Sequence, residues 1–334
     1  MAAIPYAADQ TRTWWSGADA DVDIHIEAYE AEIDGSFRVD SLFRSSGLTN
    51  FRSVQNQSNA YRIDRIGGAT VSGRKAGQTL DPKRIVNDKM VITVDTTSYI
   101  RTPFDYQDDW TAPDFRSEYA QEHGTAHAKA FDQAHCIQLI KAGSWVAPAD
   151  LKASGAFNDG IATTVTGYTA ATTDEAKADL LVAAHKQALS TFVKRDLGGA
   201  LSEFVTLVTP DAFAVLLDHK KLMNMEFQGG QGINNFVTRR VAVMNGVTVV
   251  ETPRIPQAAI PNHILGPQFN VTAAEAKALC IVFHPRKTLV TVEAQGMTVR
   301  QWDYPKEFQS VLDSYHMYTV GIRRGDATAV LNAD

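Results

Sequence analysis

The longest stretch of helical apolar spacing in the chain runs from Phe115 to Gly143. At about 100° per residue, one stripe gathers Phe115, Tyr119, Ala126, Ala130, Ala134, Ile137 and Ile140. Pro113 and Asp114 supply a start signal for this helix, and Gly143 supplies a stop. We therefore predict one long helix whose alanines allow another backbone to approach closely.

Alternating polarity and many β-branched residues mark the segments "AYRIDRI" (60–66), "ATVSGRKAGQTL" (69–80) and "DKMVITVDTTSYIRTPF" (88–104). Glycines at positions 67, 68, 73 and 77 interrupt them. The pattern predicts a long two-stranded excursion with little apolar surface of its own. Because two strands alone are only marginally stable, we expect the excursion to lie on something else.

The rest of the chain alternates between helix and strand signals. In chain order the predictions are an extended arm (1–22), a helix (24–34) ended by Gly35, a loop or hairpin (153–173), a helix (174–195), a strand (203–209), a helix (210–220) and a hairpin (239–252). Asn245-Gly246 in the hairpin suits a type I′ turn. The last third is mainly strand, and we expect it to pack on the long helix.

Composition places the chain among ordinary globular proteins. Its 334 residues are 44% hydrophobic and 21% charged, enough for a substantial core. Cys136 and Cys280 stand far apart in apolar segments, so we interpret them as small core residues and not as a disulfide. No export signal and no run of about 18 apolar residues is present, so neither secretion nor membrane insertion is expected.

Charge is unevenly distributed, although the net charge of -6 argues against a protein that mainly grips phosphate backbones. Residues 13–37, the acidic arm, carry seven acids and no Lys or Arg. Residues 62–89 carry seven basic residues against three acids. These are either two solvated faces or complementary surfaces that meet between subunits.

A possible metal site lies on the long helix, where His123 and His127 are four residues apart. Zinc hydrolases with this spacing place a glutamate directly after the first histidine, where this chain has Gly124. Glu122 points about 100° away, and His135 lies two turns further on. We therefore predict packed or surface imidazoles and no metal ligand set.

Two other motifs match only in part. Asp19 to Glu30 matches a calcium loop except at its sixth position, where β-branched Ile24 replaces the glycine that the turn needs. Gly68 and Gly73 have the spacing of a phosphate loop, but Arg74 and Lys75 follow where that motif has Lys and Ser or Thr. Neither motif predicts a cofactor, and nothing else in the sequence predicts catalysis.

The order of these elements resembles the major capsid protein of tailed bacteriophages, with the α+β Hong Kong 97-type fold, and most closely that of short-tailed podoviruses. The strings that carry the resemblance are "GQTLDPKRIVNDKMVITVD" (77–95), "DFRSEYAQEHG" (114–124) and "NGVTVVETPRIP" (245–256). Its implied divisions are an N-terminal arm and short helix (1–45), an E-loop β-hairpin (46–104), a P-domain with the spine helix (105–200), an A-domain (201–290) and returning P-domain strands with the C-terminal segment (291–334).

The resemblance implies a non-enzymatic shell subunit that forms hexamers and pentamers of an icosahedral container for double-stranded DNA, contacted non-specifically. Its implied partners are further copies of itself, scaffolding protein, portal protein and decoration proteins, with assembly in the host bacterial cytoplasm and a final location in the virion. The predicted subunit contacts are Trp14, Trp15, Arg62, Arg65, Arg74, Lys75, Arg84, Glu118, Gln228, Gly229 and Gly230. The resemblance implies contacts at the E-loop, the spine helix and the A-domain tip, whereas Trp14 and Trp15 are predicted as aromatics by which the polar arm docks on a neighbour. The alternatives are an encapsulin-type nanocompartment and a metal-dependent hydrolase built on the two histidines.

Overall fold

One long helix lies across two β-sheets, and a two-stranded ribbon projects from the smaller sheet. The computed structural model describes residues 37, 41–55, 57–80, 82–106, 115–197, 201–224, 234–236 and 238–334. The predicted arm and the predicted helix 24–34 lie outside these residues.

The regular elements of the described residues follow in chain order. They are α1 (Leu42–Ser45), β1 (Asn50–Ser53), β2 (Ala60–Ile66), β3 (Asn87–Thr93), β4 (Thr97–Asp105), α2 (Phe115–Gly143), α3 (Ala149–Ala153), β5 (Ile161–Val165), α4 (Asp174–Lys194), β6 (Val205–Val208), α5 (Pro210–Leu217), α6 (Lys220–Met223), β7 (Val243–Met244), β8 (Val247–Glu251), β9 (Ala278–Phe283), α7 (Pro285–Thr288), β10 (Leu289–Tyr304), β11 (Gln309–Ile322) and β12 (Thr328–Ala333). Short 3₁₀ turns lie at Leu201–Glu203, Pro267–Phe269, Glu275–Lys277 and Gly325–Ala327.

The smaller sheet has four strands in the order β1-β10-β11-β4. The β10–β11 pair is a long antiparallel hairpin, β4 pairs antiparallel with β11, and β1 runs parallel to β10. Residues that alternate along β10 face opposite sides, so Thr291 meets α2 while Val290 and Val292 meet the ribbon. Around residues 290–292 of β10, both faces of this sheet are therefore covered by other parts of the same chain.

The larger sheet has six strands in the order β5-β12-β9-β6-β8-β7. One of its faces packs on α4 and α5 through a cluster that includes Leu181, Phe192 and Phe213. Residues from its other face, including Ile281 and Val330, join α2 in the largest hydrophobic cluster. Since that cluster also contains residues of the smaller sheet, α2 connects the two sheets.

Most of the locally patterned elements are confirmed, including the long helix, the helix at 174–194, the strand at 205–208 and the helix that begins at Pro210. The hairpin turn is also as predicted. Asn245 and Gly246 have φ of 52° and 83°, the two positive values that a type I′ turn requires. Cys136 and Cys280 are both buried and free.

The excursion differs from its prediction in two ways. The segment 69–80 contains no strand, and the segment 88–104 divides into β3, which pairs with β2, and β4, which pairs with β11. The stretch predicted as a loop or hairpin contains β5, which pairs in parallel with β12. Both pairings join residues far apart in sequence, so local alternation did not reveal them. The division into arm, loop and domains stays a prediction.

The long helix buries the second half of the predicted stripe, Ala134, Ile137 and Ile140, but a different face in its first half. There Ala126 and Ala130 are only half-buried, whereas His123 and His127 are buried. In that half the buried face is rotated by roughly a quarter turn from the prediction. An apolar stripe counts alanine as inside and histidine as outside, but buried imidazoles are stable where they are hydrogen-bonded.

The last turn of α2 is the tightest crossing among the described glycines. A Cβ on Gly160 would lie 2.0 Å from the Ala142 carbonyl oxygen and 2.6 Å from that of Gly143. A Cβ on Gly143 would lie 2.5 Å from Val330 Cγ2. Gly143, the predicted stop residue, therefore ends α2 where the helix backbone meets the Gly160 backbone and β12. Both glycines are needed because there is no room for a side chain, and not because the backbone has positive φ.

We predict that Gly160→Ala destabilises the subunit by about 1–3 kcal/mol, the usual cost of overpacking, because backbone atoms must move to admit the methyl group. Gly296→Ala is the control, since a Cβ there would meet no atom within 4 Å. Urea unfolding of the unassembled subunit measures both variants. Equal midpoints for the two would contradict this view of the crossing.

Candidate subunit-interface site

The ribbon, residues 60–93, starts on the smaller sheet and is paired only over its first part, at Ala60–Ile66 and Asn87–Thr93. Its strands pair antiparallel from Ala60 opposite Thr93 to Ile66 opposite Asn87. Ile63 and Ile92 on the inner face pack against Val290 and Val292 of β10. The paired strands of the ribbon therefore lie on the smaller sheet of the same chain, as expected for an element that needs support.

Close backbone approach fixes this footing. A Cβ on Gly321 of β11 would lie 2.4 Å from Ile92 Cδ1, so only glycine leaves room for that isoleucine. Further out, the Gly68 amide donates to Ser154 Oγ at 3.1 Å and the Gly67 amide donates to the Val86 carbonyl at 2.7 Å. The ribbon is therefore held at a second place, just beyond its paired strands.

Arg65 lies between these two places and is only 8% exposed. Its Nε donates to the Arg323 carbonyl at 3.0 Å and its Nη2 to the Ile322 carbonyl at 2.9 Å. Nη1 is 3.6 Å from the Asp88 carboxylate. The guanidinium carbon is 5.5 Å from the centre of the Trp145 ring. Arg65 is therefore buried and bonded inside its own subunit, whereas Arg62, Arg74, Lys75 and Arg84 are exposed.

Beyond Gly68 the support ends. Residues 69–85, which we call the tip, are exposed throughout their described part. Val71 is 97% exposed and Leu80 is 76% exposed, unusual values for large apolar side chains. Within the described residues, the tip's own contacts are local, such as the Lys75 amide that donates to Gln78 Oε1 at 3.2 Å. The described part of the tip thus combines apolar and basic side chains that are exposed to solvent and do not pack on the rest of the subunit.

The predicted contact residues fall into three groups. Arg74, Lys75 and Arg84 are exposed on the tip, and no ion pair of the described residues involves them. Arg62 is exposed on the paired strands and bonds to Asp64 at 3.0 Å, and Glu118 is exposed in the first turn of α2. The other predicted contacts, Trp14, Trp15, Gln228, Gly229 and Gly230, lie outside the described residues.

The two histidines of the possible metal site contact the smaller sheet. His123 Nδ1 and His127 Nε2 each lie 3.0 Å from Ser314 Oγ, and His123 Nε2 lies 2.8 Å from Thr102 Oγ1. A hydroxyl has one hydrogen to donate and two lone pairs to accept, so Ser314 can bond to both rings at once, and the tautomer of each ring sets which atom donates. The structure thus uses both imidazoles to fasten α2 to β4 and β11.

His135, two turns further along α2, is fastened in a similar way. Its Nδ1 donates to the Phe131 carbonyl at 2.7 Å, so its Nε2 accepts from Thr291 Oγ1 at 2.7 Å when the ring is neutral. Burial lowers the pKa of His127 and of His135 to about 4, and it also lowers the pKa of His123. These rings are therefore neutral near pH 7.

Comparison with solved structures gives the family. A chain of the bacteriophage PhiM1 mature capsid is 45% identical, with a TM-score of 0.79, over 99% of this chain and 98% of that one. The chain belongs to the bacteriophage major capsid proteins of the Hong Kong 97-type fold. The α+β fold class is therefore confirmed.

Two more distant likenesses support the fold alone. The capsid of cyanophage P-SCSP1u is 18% identical, with a TM-score of 0.70, over 86% of each chain. The virus-like particle from Pyrococcus furiosus is 12% identical, with a TM-score of 0.54, over 92% of this chain and 99% of that one. The sequence matches no family model and no curated protein.

In this capsid subunit, two carboxylates that sequence reasoning missed hold the segment after the arm. Asp132 on α2 accepts from Ser41 Oγ at 2.8 Å and from the Leu42 amide at 2.7 Å, at the start of α1. Glu293 on β10 pairs with Arg44 and lies 3.3 Å from His316 Nε2. No local pattern announced these residues, since a buried carboxylate is recognised only by donors that come from elsewhere in the chain.

The remaining motifs can be placed only in part. Asp19 to Glu30 lies outside the described residues. The glycine frame at Gly68 and Gly73 does not open a helix, as a phosphate loop would. Across the described ranges, no group of three His, Cys, Asp or Glu side chains is arranged to hold a metal ion. No described helix combines the length and apolar character of a membrane span.

We predict that acid weakens the contact of α2 with the sheet. A buried histidine whose folded pKa is about 4 stays neutral while the unfolded chain takes up a proton below about pH 6.5. Stability is therefore complete above pH 6.5 and falls as the pH drops towards 4, by up to about 3 kcal/mol for each such ring.

The measurement is the urea midpoint of the unassembled subunit between pH 7 and pH 4.5. His127→Gln keeps a donor and an acceptor for Ser314 but cannot be protonated, so its midpoint should fall less steeply than that of the wild type. His135→Gln gives an independent copy of the same comparison. Parallel curves for all three proteins would show that these rings do not sense pH.

Proposed function

We infer that this chain is a structural protein of the virion, whose copies associate into the shell of a tailed-phage capsid. The observation that carries this function is the likeness to a phage capsid chain over almost the full length of both. The described residues are consistent with a structural role. The buried histidines fasten α2 to the smaller sheet. The exposed tip suits a contact with another molecule.

Several finer features of this function are proposals supported by the order of the elements. We propose that the copies form hexamers and pentamers of an icosahedral shell around double-stranded DNA, in a phage of the short-tailed type. Scaffolding protein, portal protein and decoration proteins would join it, and assembly would take place in the host cytoplasm. The moderate net charge of -6 suits a container that must later release its DNA.

The tip supplies the physical reason for association. Arg74, Lys75 and Arg84 carry positive charge next to the almost fully exposed Val71 and Leu80. Two large apolar side chains exposed on one short segment fit a contact surface, and the charges would select a partner with acidic groups. The tip therefore fits an acidic surface with apolar side chains on a neighbouring copy.

The acidic arm, residues 13–37, is the candidate partner in this chain, because it carries seven acids without a Lys or Arg. Its last residue, Phe37, is buried on the α2 side of the smaller sheet, with its ring centre 5.3 Å from that of Phe131. The ribbon lies on the opposite face, against Val290 and Val292. The acidic arm therefore ends on one face of the sheet and the ribbon begins on the other. We propose that the arm of one subunit meets the ribbon of a neighbouring subunit.

Many weak contacts of this kind are enough for a shell. Each exposed ion pair contributes only about 0.2–1 kcal/mol. Once several subunits form a ring, each further contact is made within an assembly and no longer costs the full loss of free motion. Repeated, symmetric contacts therefore stabilise a closed particle that can still rearrange.

The alternatives are less favoured. The likeness to the Pyrococcus furiosus particle, at 12% identity, carries only the fold and does not support an encapsulin-type compartment over a phage shell. A metal-dependent hydrolase would need His123 and His127 free to bind a metal ion. Both rings instead share Ser314 as a hydrogen-bond partner.

We predict that the wild-type protein forms closed shells at low salt, visible by electron microscopy, and that Arg74→Glu with Lys75→Glu leaves the subunit folded but blocks them. Reversing both charges replaces attraction by repulsion, at a cost on the order of 1–2 kcal/mol for each contact. Salt near 1 M shortens the screening length to about 3 Å and should restore part of the assembly through the apolar side chains.

Lys186→Glu with Lys194→Glu is the charge-matched control, because both lysines are exposed on α4, away from the ribbon. This double variant should assemble like the wild type. Normal shells from the Arg74 and Lys75 double variant at low salt would remove the tip from the contact. A wild-type protein that makes no closed particles under any of these conditions would contradict the function itself.

A further inference from the structure

We propose that Arg65 is a positioning residue that fixes the direction in which the tip leaves its own subunit, and thereby sets how neighbouring subunits join. The proposal rests on the function above, in which the tip reaches a second copy. Its evidence is the bonding of one buried guanidinium to three separate parts of the subunit.

The packing beneath the ribbon does not set a direction by itself. Ile63 and Ile92 contact Val290 and Val292 through apolar surface alone. Hydrophobic contact depends on the area covered and is not directional, so even with Ile92 packed against Gly321 it constrains the angle of the ribbon less than hydrogen bonds do. A directional contact is needed to select one angle.

Arg65 makes that directional contact. Its Nε and Nη2 donate to two successive carbonyls, those of Arg323 and Ile322, where β11 ends. Two parallel bonds from one planar group hold both its position and its orientation, which a lysine ammonium cannot do. The bonds therefore tie the ribbon to the end of β11 at a set angle.

The same side chain also contacts the region after α2. Its guanidinium carbon lies 5.5 Å from the centre of the Trp145 ring, two residues beyond the end of that helix. Trp145 in turn packs closely on Gly325, where a Cβ would lie 2.6 Å from Trp145 Cβ. Through Trp145, Arg65 thus connects the ribbon with the end of α2 and with the turn before β12.

A second contact further along the ribbon completes the arrangement. The Gly68 amide bonds to Ser154 Oγ, which in turn donates to the Leu151 carbonyl at 2.6 Å. A stiff element that is held at two separate points can no longer rock about either of them. Without Arg65, only the Gly68 contact and the non-directional packing would remain, and the tip would sample many directions.

Distance measurements in the unassembled subunit test this directly. Spin labels on Ile66→Cys and Val193→Cys report the separation of α4 from the end of the paired strands where the tip departs, because both positions are exposed and the two native cysteines are buried. With Arg65 present, we expect one narrow distance distribution from pulsed electron paramagnetic resonance. Arg65→Met should broaden it into several distances, while near-ultraviolet circular dichroism shows that the subunit is still folded.

Arg239→Met is the matched control. Arg239 also pairs with a carboxylate, Glu251 at 2.8 Å, and also lies over an aromatic ring, that of Phe213 at 5.3 Å, but on the larger sheet. Its loss should leave the distribution narrow. If Arg65→Met does not fold, Asp88→Asn replaces it, since that change weakens only the partly exposed ion pair and should broaden the distribution less.

The shells give the second readout. Arg65→Met subunits that assemble should give particles of mixed diameter, whereas those of Arg239→Met should match the wild type. An unchanged narrow distribution in both Arg65→Met and Asp88→Asn, or shells of wild-type diameter from a broadened subunit, would overturn the proposal. Failure of the wild type to form shells would instead contradict the proposed function, and the distance measurement would still decide whether Arg65 positions the tip.

Discussion

The contacts that support the ribbon within its own chain end at Gly68, which leaves the described part of residues 69–85 exposed in the free subunit. Up to that residue the ribbon has apolar packing, a buried arginine and a backbone bond to Ser154. Beyond it, apolar and basic side chains stand in water. We propose that a second molecule covers the half of the ribbon that its own chain leaves exposed, and a neighbouring copy in the shell would supply that cover.

A rigid body is the condition for that projection to be useful. The long helix α2 contacts both sheets, and buried polar groups fix its rotation on the smaller one, since His123 and His127 share Ser314 and His135 bonds to Thr291. Asp132 and Glu293 hold the segment that follows the arm against the same interface. Hydrogen bonds between specific partners give a single arrangement where apolar packing alone would allow several.

The sequence predicted the elements that depend on local patterns and missed those that depend on distant partners. The helix from Phe115 to Gly143 and the Asn245-Gly246 turn follow from spacing and from backbone conformation. The pairing of β5 with β12, the buried face of α2 and the interior place of Arg65 do not, because each is set by groups far away in the chain. The sequence was enough to predict the basic character of the tip and, from the order of the elements, the family. Only the fold shows that Arg65 is buried while Arg74 is exposed.

The most direct measurement is amide hydrogen exchange of the ribbon in free subunits and in assembled shells. The account predicts that residues 60–66 are protected in both, because their support lies within the chain, and that residues 69–85 exchange rapidly in the free subunit and become protected in the shell. Protection of residues 69–85 in the free subunit, or rapid exchange of them in the shell, would contradict it.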